Sequence, residues 1–192
     1  KISIQDERLQ LYGAKERKPL RRIPNEIMET FHPELIAQAK HASGIRIRFA
    51  TDSPYLALHV EYGEMPFFHH FALSGLAGFD LYEEFHGDED TPIWKIDVQQ
   101  AGGLTMRWLH NFPIPDDIYE TKKCSMTWEQ VEPGLHHYTL YFPLYAEVTD
   151  FSLEITDDAI LKPHEHPYLN DKPYIFYGSS VTEGACASKP SN

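Results

Sequence analysis

Ile45-Arg46-Ile47-Arg48-Phe49 alternates apolar and charged residues without a break, and Leu56-Ala57-Leu58-His59-Val60 repeats the period after an Asp52-Ser53-Pro54 turn. A period of two puts successive side chains on opposite faces of a strand, so each stretch predicts one buried and one solvated face. On this reading Ile45, Ile47, Phe49, Leu56, Leu58 and Val60 are core, and Arg46 and Arg48 are solvated or paired at the rim. Outward from this pair, Phe67–Leu73, Phe79–Phe85, Ile93–Val98, Leu104–Leu109, His137–Phe142 and Phe151–Ile155 also have strand character, and Phe151, Leu153 and Ile155 join the core. Such runs recur about every 8–12 residues with Pro, Gly, Asp and Asn between them, the signature of an antiparallel sandwich or jelly roll. Ile2, Ile4, Leu9 and Leu11 suit two short strands in an otherwise polar, basic start. Pro24–Ala42 is the one helical region, with Asn25 placed to cap it and Pro33 breaking its middle. The fold class is therefore mainly β, an antiparallel sandwich within residues 1–165. Pro163 to Pro173 holds three prolines and two histidines and reads as a stiff linker into a second unit at 166–192.

Composition narrows the function classes. The chain has 192 residues, 42% hydrophobic and 13% aromatic, ample for a packed core. A net charge of −12 argues against nucleic acid and against anionic membrane surfaces as partners, because both demand a basic face. No apolar run has the length of a membrane span and no signal-like segment is visible. Two cysteines, Cys124 and Cys186, are too few for a disulfide framework; they predict free thiols and favour a cytoplasmic location.

Tyr174-Ile175-Phe176-Tyr177-Gly178-Ser179-Ser180-Val181-Thr182-Glu183-Gly184 carries the chemistry. Its apolar start is too short for a helix and suits a buried parallel strand; Gly178 frees the backbone to turn, and Thr182 to Gly184 reads as the first turn of a helix. A serine between a buried strand and a helix is where α/β hydrolytic enzymes hold a nucleophile beside backbone N–H donors. Gly178-Ser179-Ser180-Val181-Thr182 resembles the first block of the SGNH (GDSL-type) hydrolases, Gly-Asp-Ser-Leu/Ile-Thr, with Ser179 in place of the Asp. A variant reading Tyr-Gly-Ser-Ser-Ile-Thr-x-Gly-x-Cys-Ala-Ser fits residues 177–188 more closely, and its subfamily places a β-sandwich with a Gly-x-Asp-Leu-Tyr motif before the catalytic domain. Here that motif is Gly78-Phe79-Asp80-Leu81-Tyr82.

The resemblance implies a serine esterase in which Ser180 is the nucleophile and its backbone N–H an oxyanion donor, with Gly178 shaping the turn. It implies a small acyl ester as substrate, acetylated carbohydrate included, and neither metal nor organic cofactor. The family's second-block Gly, its Gly-x-Asn-Asp and its Asp-x-x-His have no counterpart here. Leu169-Asn170-Asp171 imitates the third block, but Tyr168 stands where Gly belongs. The expectation is an N-terminal part of a larger esterase, inactive alone, whose partner is its own C-terminal hydrolase domain. Deprived of its sheet, the segment 172–192 is expected to lie against the sandwich through Tyr174 and Phe176, or to pair with a second copy.

Other constellations have competing readings. Asp80 and Tyr82 share a strand face opposite Phe79 and Leu81; they either bond locally or meet the catalytic domain and its cleft. His164-Glu165-His166 puts two imidazoles on one side of an extended segment, a start for zinc given a third ligand, but without Cys-x-x-Cys or His-Glu-x-x-His the sequence is read as metal-free. The pairs His69-His70 and His136-His137 point to opposite faces if in strands, and Glu83-x-x-His86 is incidental for the same reason. Tyr55, Tyr62, Trp94, Trp108, Trp128, Tyr138 and Tyr141 are candidates to stack on sugars, or routine core and rim rings. The alternative function is a non-catalytic sandwich that binds glycan or positions the hydrolase domain, with a protein-interaction module as a third reading.

Overall fold

The computed structural model describes residues 1–84, 98–101, 104–130, 132–168 and 172–191. Phe85, His86, most of Ile93–Val98 with Trp94, and Leu169-Asn170-Asp171 lie outside the described residues. Numbered along the chain, strands β1 (Ile2–Ser3), β6 (Tyr55–Tyr62), β10 (Lys123–Glu129) and β12 (Val148–Glu154) form the smaller sheet, in the order β1-β12-β6-β10. The larger sheet runs β13 (Leu161–Pro163), β5 (Arg46–Thr51), β11 (His136–Tyr141), β7 (Phe79–Glu84), β9 (Leu104–Phe112) and β8 (Val98–Ala101). β2 (Gln10–Tyr12) shares the outer edge of β5 with β13, pairing residues 46–48 while β13 pairs 49–51. A hairpin of β3 (Glu16–Arg17) and β4 (Leu20–Arg21) stands apart. Every pairing is antiparallel, and the two sheets face each other as a β-sandwich.

Registration lines up the apolar face. Ile47 lies opposite Leu140, which lies opposite Leu81; in the smaller sheet Leu58 sits between Leu153 and Met126. Ile45, Ile47, Phe49, Leu56, Leu58, Val60, Phe151 and Leu153 are all buried, and Ile155 is half-buried at the margin. The helical region divides into α1 (Asn25–Met28) and α2 (Pro33–Ala39), with Pro33 opening the second helix, where its missing N–H is harmless. Asn25 does not cap α1. Its own N–H and side-chain amide donate to Glu16 at 2.8 and 2.6 Å, so a carboxylate from the β3–β4 hairpin takes that place. No helix among the described residues is long and apolar enough to cross a membrane, and both cysteines are free thiols.

Two further expectations need correction, and one strand was not expected. Phe67–Leu73 is not a strand: it has no period-two alternation, and Phe67, Phe68 and Phe71 pack edge-on against one another's neighbours, His69, Tyr119 and Tyr145, before α3 (Leu73–Leu76). β10 went unread although Cys124, Met126 and Trp128 alternate inward against Lys123, Ser125, Thr127 and Glu129. Arg48 is neither solvated nor at the rim; its side chain is fully buried on the outer face of the larger sheet. The chain after β13 returns across that face, so the side that alternation assigned to water is covered. His164 and Tyr168 lie directly over Arg48, the Tyr168 ring 4.3 Å from its guanidinium carbon.

Truncating Leu58 to Ala in this interdigitated core should cost about 2–5 kcal/mol. A urea titration should show the midpoint falling with an unchanged slope; an unshifted midpoint would place Leu58 outside the load of the core.

Candidate active site

Ser180 opens α5 (Ser180–Glu183), a single turn preceded by Ser179 in extended geometry. Thr182 and Glu183 donate their N–H groups to the Ser179 carbonyl at 3.0 and 3.2 Å, and Ala185 donates to Ser180 at 2.8 Å. Gly178 is required by contact: a Cβ there would lie 2.1 Å from Thr182 Oγ1 and 2.9 Å from its Cβ. The Ser180 side chain is exposed, and its N–H stands in the first turn, where a helix has no acceptor of its own. Residues 174–177 belong to no assigned strand or helix; Tyr174 is 76% and Phe176 82% exposed. The Phe176 ring, turned to solvent, does not dock the tail onto the sandwich. Gly78, the first motif residue, is constrained similarly, since a Cβ would lie 2.1 Å from the Ser74 carbonyl oxygen.

The tail docks through polar groups that follow the serine. Glu183 Oε1 lies 2.8 Å from His41 Nδ1 and 3.7 Å from Arg22, and Ser43 Oγ donates to the Glu183 carbonyl at 3.0 Å. Tyr145 packs against the His41 ring, centroids 5.2 Å apart, and donates its hydroxyl to the Ser180 carbonyl at 3.1 Å. Burial first, then the Glu183 carboxylate and Cys186, push the Tyr145 phenol up to about 12. His41 is thus a histidine oriented by a carboxylate close to Ser180, but it bonds Glu183; among the described residues no histidine bonds the Ser180 hydroxyl. The sequence reading missed His41, Ser43 and Tyr145. Each lies far from Ser180 along the chain, and only Glu183, within the motif, pointed to them.

Asp80 and Tyr82 do lie opposite Phe79 and Leu81, off the core face, yet neither is exposed at all. Asp80 Oδ1 accepts from the Asn111 amide at 2.7 Å, and Oδ2 accepts from Ser191 N–H at 3.0 Å and Oγ at 2.7 Å. Because the Ser191 hydroxyl is committed to Asp80, its oxygen accepts from Tyr82 O–H at 2.9 Å. Lys189 Nζ reaches the Tyr82 oxygen at 3.4 Å and lies over the Trp108 ring, 5.1 Å from its centroid. The Gly-x-Asp-Leu-Tyr motif therefore grips the chain just beyond the Gly-Ser-Ser turn. Further along the same face, Glu84, His164 and His166 bring ligand atoms within 4.8 Å of one another, the one such trio among the described residues. Burial, then Arg48, hold the His164 imidazole down to about 3. The proposed sugar-stacking rings are not displayed: Tyr62 and Tyr138 are buried, and Tyr55, Trp108, Trp128 and Tyr141 are half-buried.

Asp80→Ala should strand three half-buried donors and cost about 1–3 kcal/mol, and the Ser191 amide should exchange with deuterium far faster; unchanged exchange would mean that Asp80 does not hold the tail. The Tyr145 phenol, ordinarily near 10, keeps its proton in the folded state up to about 12. Between those values the unfolded chain has lost a proton that the folded chain retains, so the stability Tyr145 contributes is complete below pH 10 and falls as pH rises through 12. Chemical denaturation across that window, wild type against Tyr145→Phe, should show a steeper loss in the wild type.

Comparisons with known proteins agree with this geometry. Residues 3–161 match the family model "GxDLY: N-terminus of Esterase_SGNH_hydro-type". No curated protein matches by sequence at a significant level. Among solved structures, a Bacteroides ovatus protein described as a GDSL-like lipase superposes with a TM-score of 0.72 at 20% identity, covering 98% of this chain and 49% of its own. The salicylyl-acyltransferase SsfX3 of a tetracycline biosynthetic pathway superposes with a TM-score of 0.58 at 17% identity, covering 86% of this chain and 42% of its own. The chain thus spans about half the length of these structures, which at such identities share its fold. With a model matched over most of its length and the Gly-Phe-Asp-Leu-Tyr strand at the centre of its larger sheet, the chain belongs to the GxDLY N-terminal family of SGNH-hydrolase-type esterases.

Proposed function

We propose that these residues are the N-terminal part of a serine acylhydrolase in which Ser180 attacks small acyl esters, acetylated carbohydrate among them. The observation that supports this best is an exposed serine at the start of α5, on a turn that only Gly178 permits, clamped to the sandwich by the family's own motif. In this reading a histidine from chain beyond residue 192 takes the Ser180 proton as Oγ adds to the ester carbonyl. The oxyanion rests on the Ser180 N–H and on further donors from the same later chain. Collapse expels the alcohol with that proton, leaving an acyl-enzyme, and water activated by the same histidine releases the acid and restores Ser180.

The sandwich serves this chemistry as a platform. His41, Ser43 and Tyr145 hold α5 from one side, and Asp80 and Tyr82 hold the chain beyond it. The exposed run Tyr174–Tyr177 is proposed to be the first strand of the hydrolase sheet. Four consecutive exposed apolar or aromatic side chains suit pairing of that kind, within the protein or with a second copy. The alternative of a positioning module without catalysis is favoured by the same clamps; a glycan platform draws no support from its described candidate rings, which are buried or half-buried.

A p-nitrophenyl acetate assay separates these readings. Residues 1–192 alone should hydrolyse no faster than the Ser180→Ala variant, because no base among the described residues bonds the Ser180 hydroxyl. In the longer protein that contains them, Ser180→Ala should lower kcat by at least about a thousandfold. A Ser180-dependent rate in the short chain would place the base within these residues. An active long protein indifferent to Ser180→Ala would leave the sandwich as a module alone.

A further inference from the structure

The outer face of the larger sheet holds a second constellation that the esterase reading does not use. Glu84 ends β7, and His137 lies on β11 at the neighbouring position, one step beyond the Tyr138–Glu83 pair. The chain leaving β13 crosses above them and contributes His164 and His166. His164 Nε2 is 3.7 Å from Glu84 Oε2, and the same oxygen bonds His166 Nδ1. The His137 ring centroid lies 5.0 Å from that of His164 and 4.9 Å from that of His166. His137 Nε2 is buried and makes no hydrogen bond; the nearest carboxylate oxygen is that of Glu165, at 3.7 Å. Ligand atoms of Glu84, His164 and His166 therefore lie within 4.8 Å of one another, with the His137 ring beside them and the His164 and Glu84 side chains almost wholly out of solvent.

We infer that Glu84, His164 and His166, with the adjoining His137 ring turning in as the fourth ligand, bind a divalent transition ion of zinc's class, which ties the crossing segment 164–168 to the larger sheet. Imidazole nitrogen with one carboxylate oxygen is the donor set that zinc and its neighbours prefer over magnesium or calcium. Ligands about 2.0–2.2 Å from a tetrahedral ion stand roughly 3.4 Å apart, so the 3.7 Å between His164 and Glu84 needs little closure. Four protein ligands fill the coordination sphere and leave no open position, which makes the site structural and not catalytic. The Arg48 guanidinium is the opposing feature. Its Nη2 is 2.9 and 3.0 Å from both ring nitrogens of His164, hence over the ring face and not along either lone pair. Ligation through His164 Nε2 moves the ring proton to Nδ1 and gives up the long 3.2 Å bond from the His166 N–H.

Cobalt and zinc test the assignment on the untagged, chelator-treated chain. Cobalt should bind one equivalent with the strong visible absorption of a low-coordinate nitrogen–oxygen site, and zinc should displace it. His166→Ala, whose side chain is 42% exposed and so expendable to the fold, should weaken zinc binding at least tenfold with an unchanged circular dichroism spectrum. Glu84→Gln should do the same, while the double variant His69→Ala/His70→Ala, in the aromatic loop, should bind as wild type. Absence of cobalt uptake, affinity that survives His166→Ala, or affinity lost in the loop variant would each overturn the site. Should Glu84→Gln misfold, His166→Ala decides alone.

Discussion

A carboxylate with no exposed surface has to find donors inside the protein, and Asp80 finds them in Asn111 on the next strand and in Ser191 at the other end of the chain. Leaving such a group unpaired costs far more than a surface ion pair ever returns. The buried Asp80 therefore dictates that residues 189–191 come back over the larger sheet. Tyr82 and Trp108 then receive Lys189, and α3, through Ser74, receives the Ser188 carbonyl at 2.6 Å. Both polar residues of the motif bond the tail through Ser191.

The outer face of the larger sheet carries a polar layer made interior. Arg48, Asp80, Tyr82, Thr139, Glu84 and His164 are all buried there, beneath the crossings 164–168 and 189–191. A layer of this kind costs desolvation, and it is tolerated where each charge meets a partner of good geometry. Arg48 meets it only in part: Nη2 reaches His164 and the Tyr168 ring covers the guanidinium, but Nε and Nη1 make no hydrogen bond. Arg21 is served better, donating to Glu147 at 2.6 Å on the other side of the molecule.

These crossings decide where Ser180 sits. Between them, Tyr174–Tyr177 is exposed and apolar, whereas α5 and residues 189–191 are held by specific polar contacts. Under the proposed function this lets the sandwich fix the nucleophile turn while the hydrolase sheet assembles on Tyr174–Tyr177. His41, Glu183 and Tyr145 would then act as positioning residues beneath the serine, reaching it through its backbone and not its hydroxyl.

By itself the sequence determined what depends on neighbours along the chain. The alternation at 45–49 and 56–60 settled the strands and the core, because side-chain direction in a strand follows from backbone geometry alone. Pro33 settled the break between α1 and α2, and the Gly-Phe-Asp-Leu-Tyr and Gly-Ser-Ser motifs named the family. Tertiary structure alone decided the fate of the faces turned from the core. Alternation says that Arg48, Asp80 and Tyr82 leave the core, not whether water or another segment awaits them. Their burial rests on contacts spanning more than a hundred residues, such as Asp80 to Ser191 and Arg48 to His164. Phe67–Leu73 failed for the converse reason: a cluster of rings is apolar enough for a strand, and only its packing on Tyr119 and Tyr145 shows that it is a loop. Pairings so distant leave no local period to read, since the physical cause lies in where the chain returns.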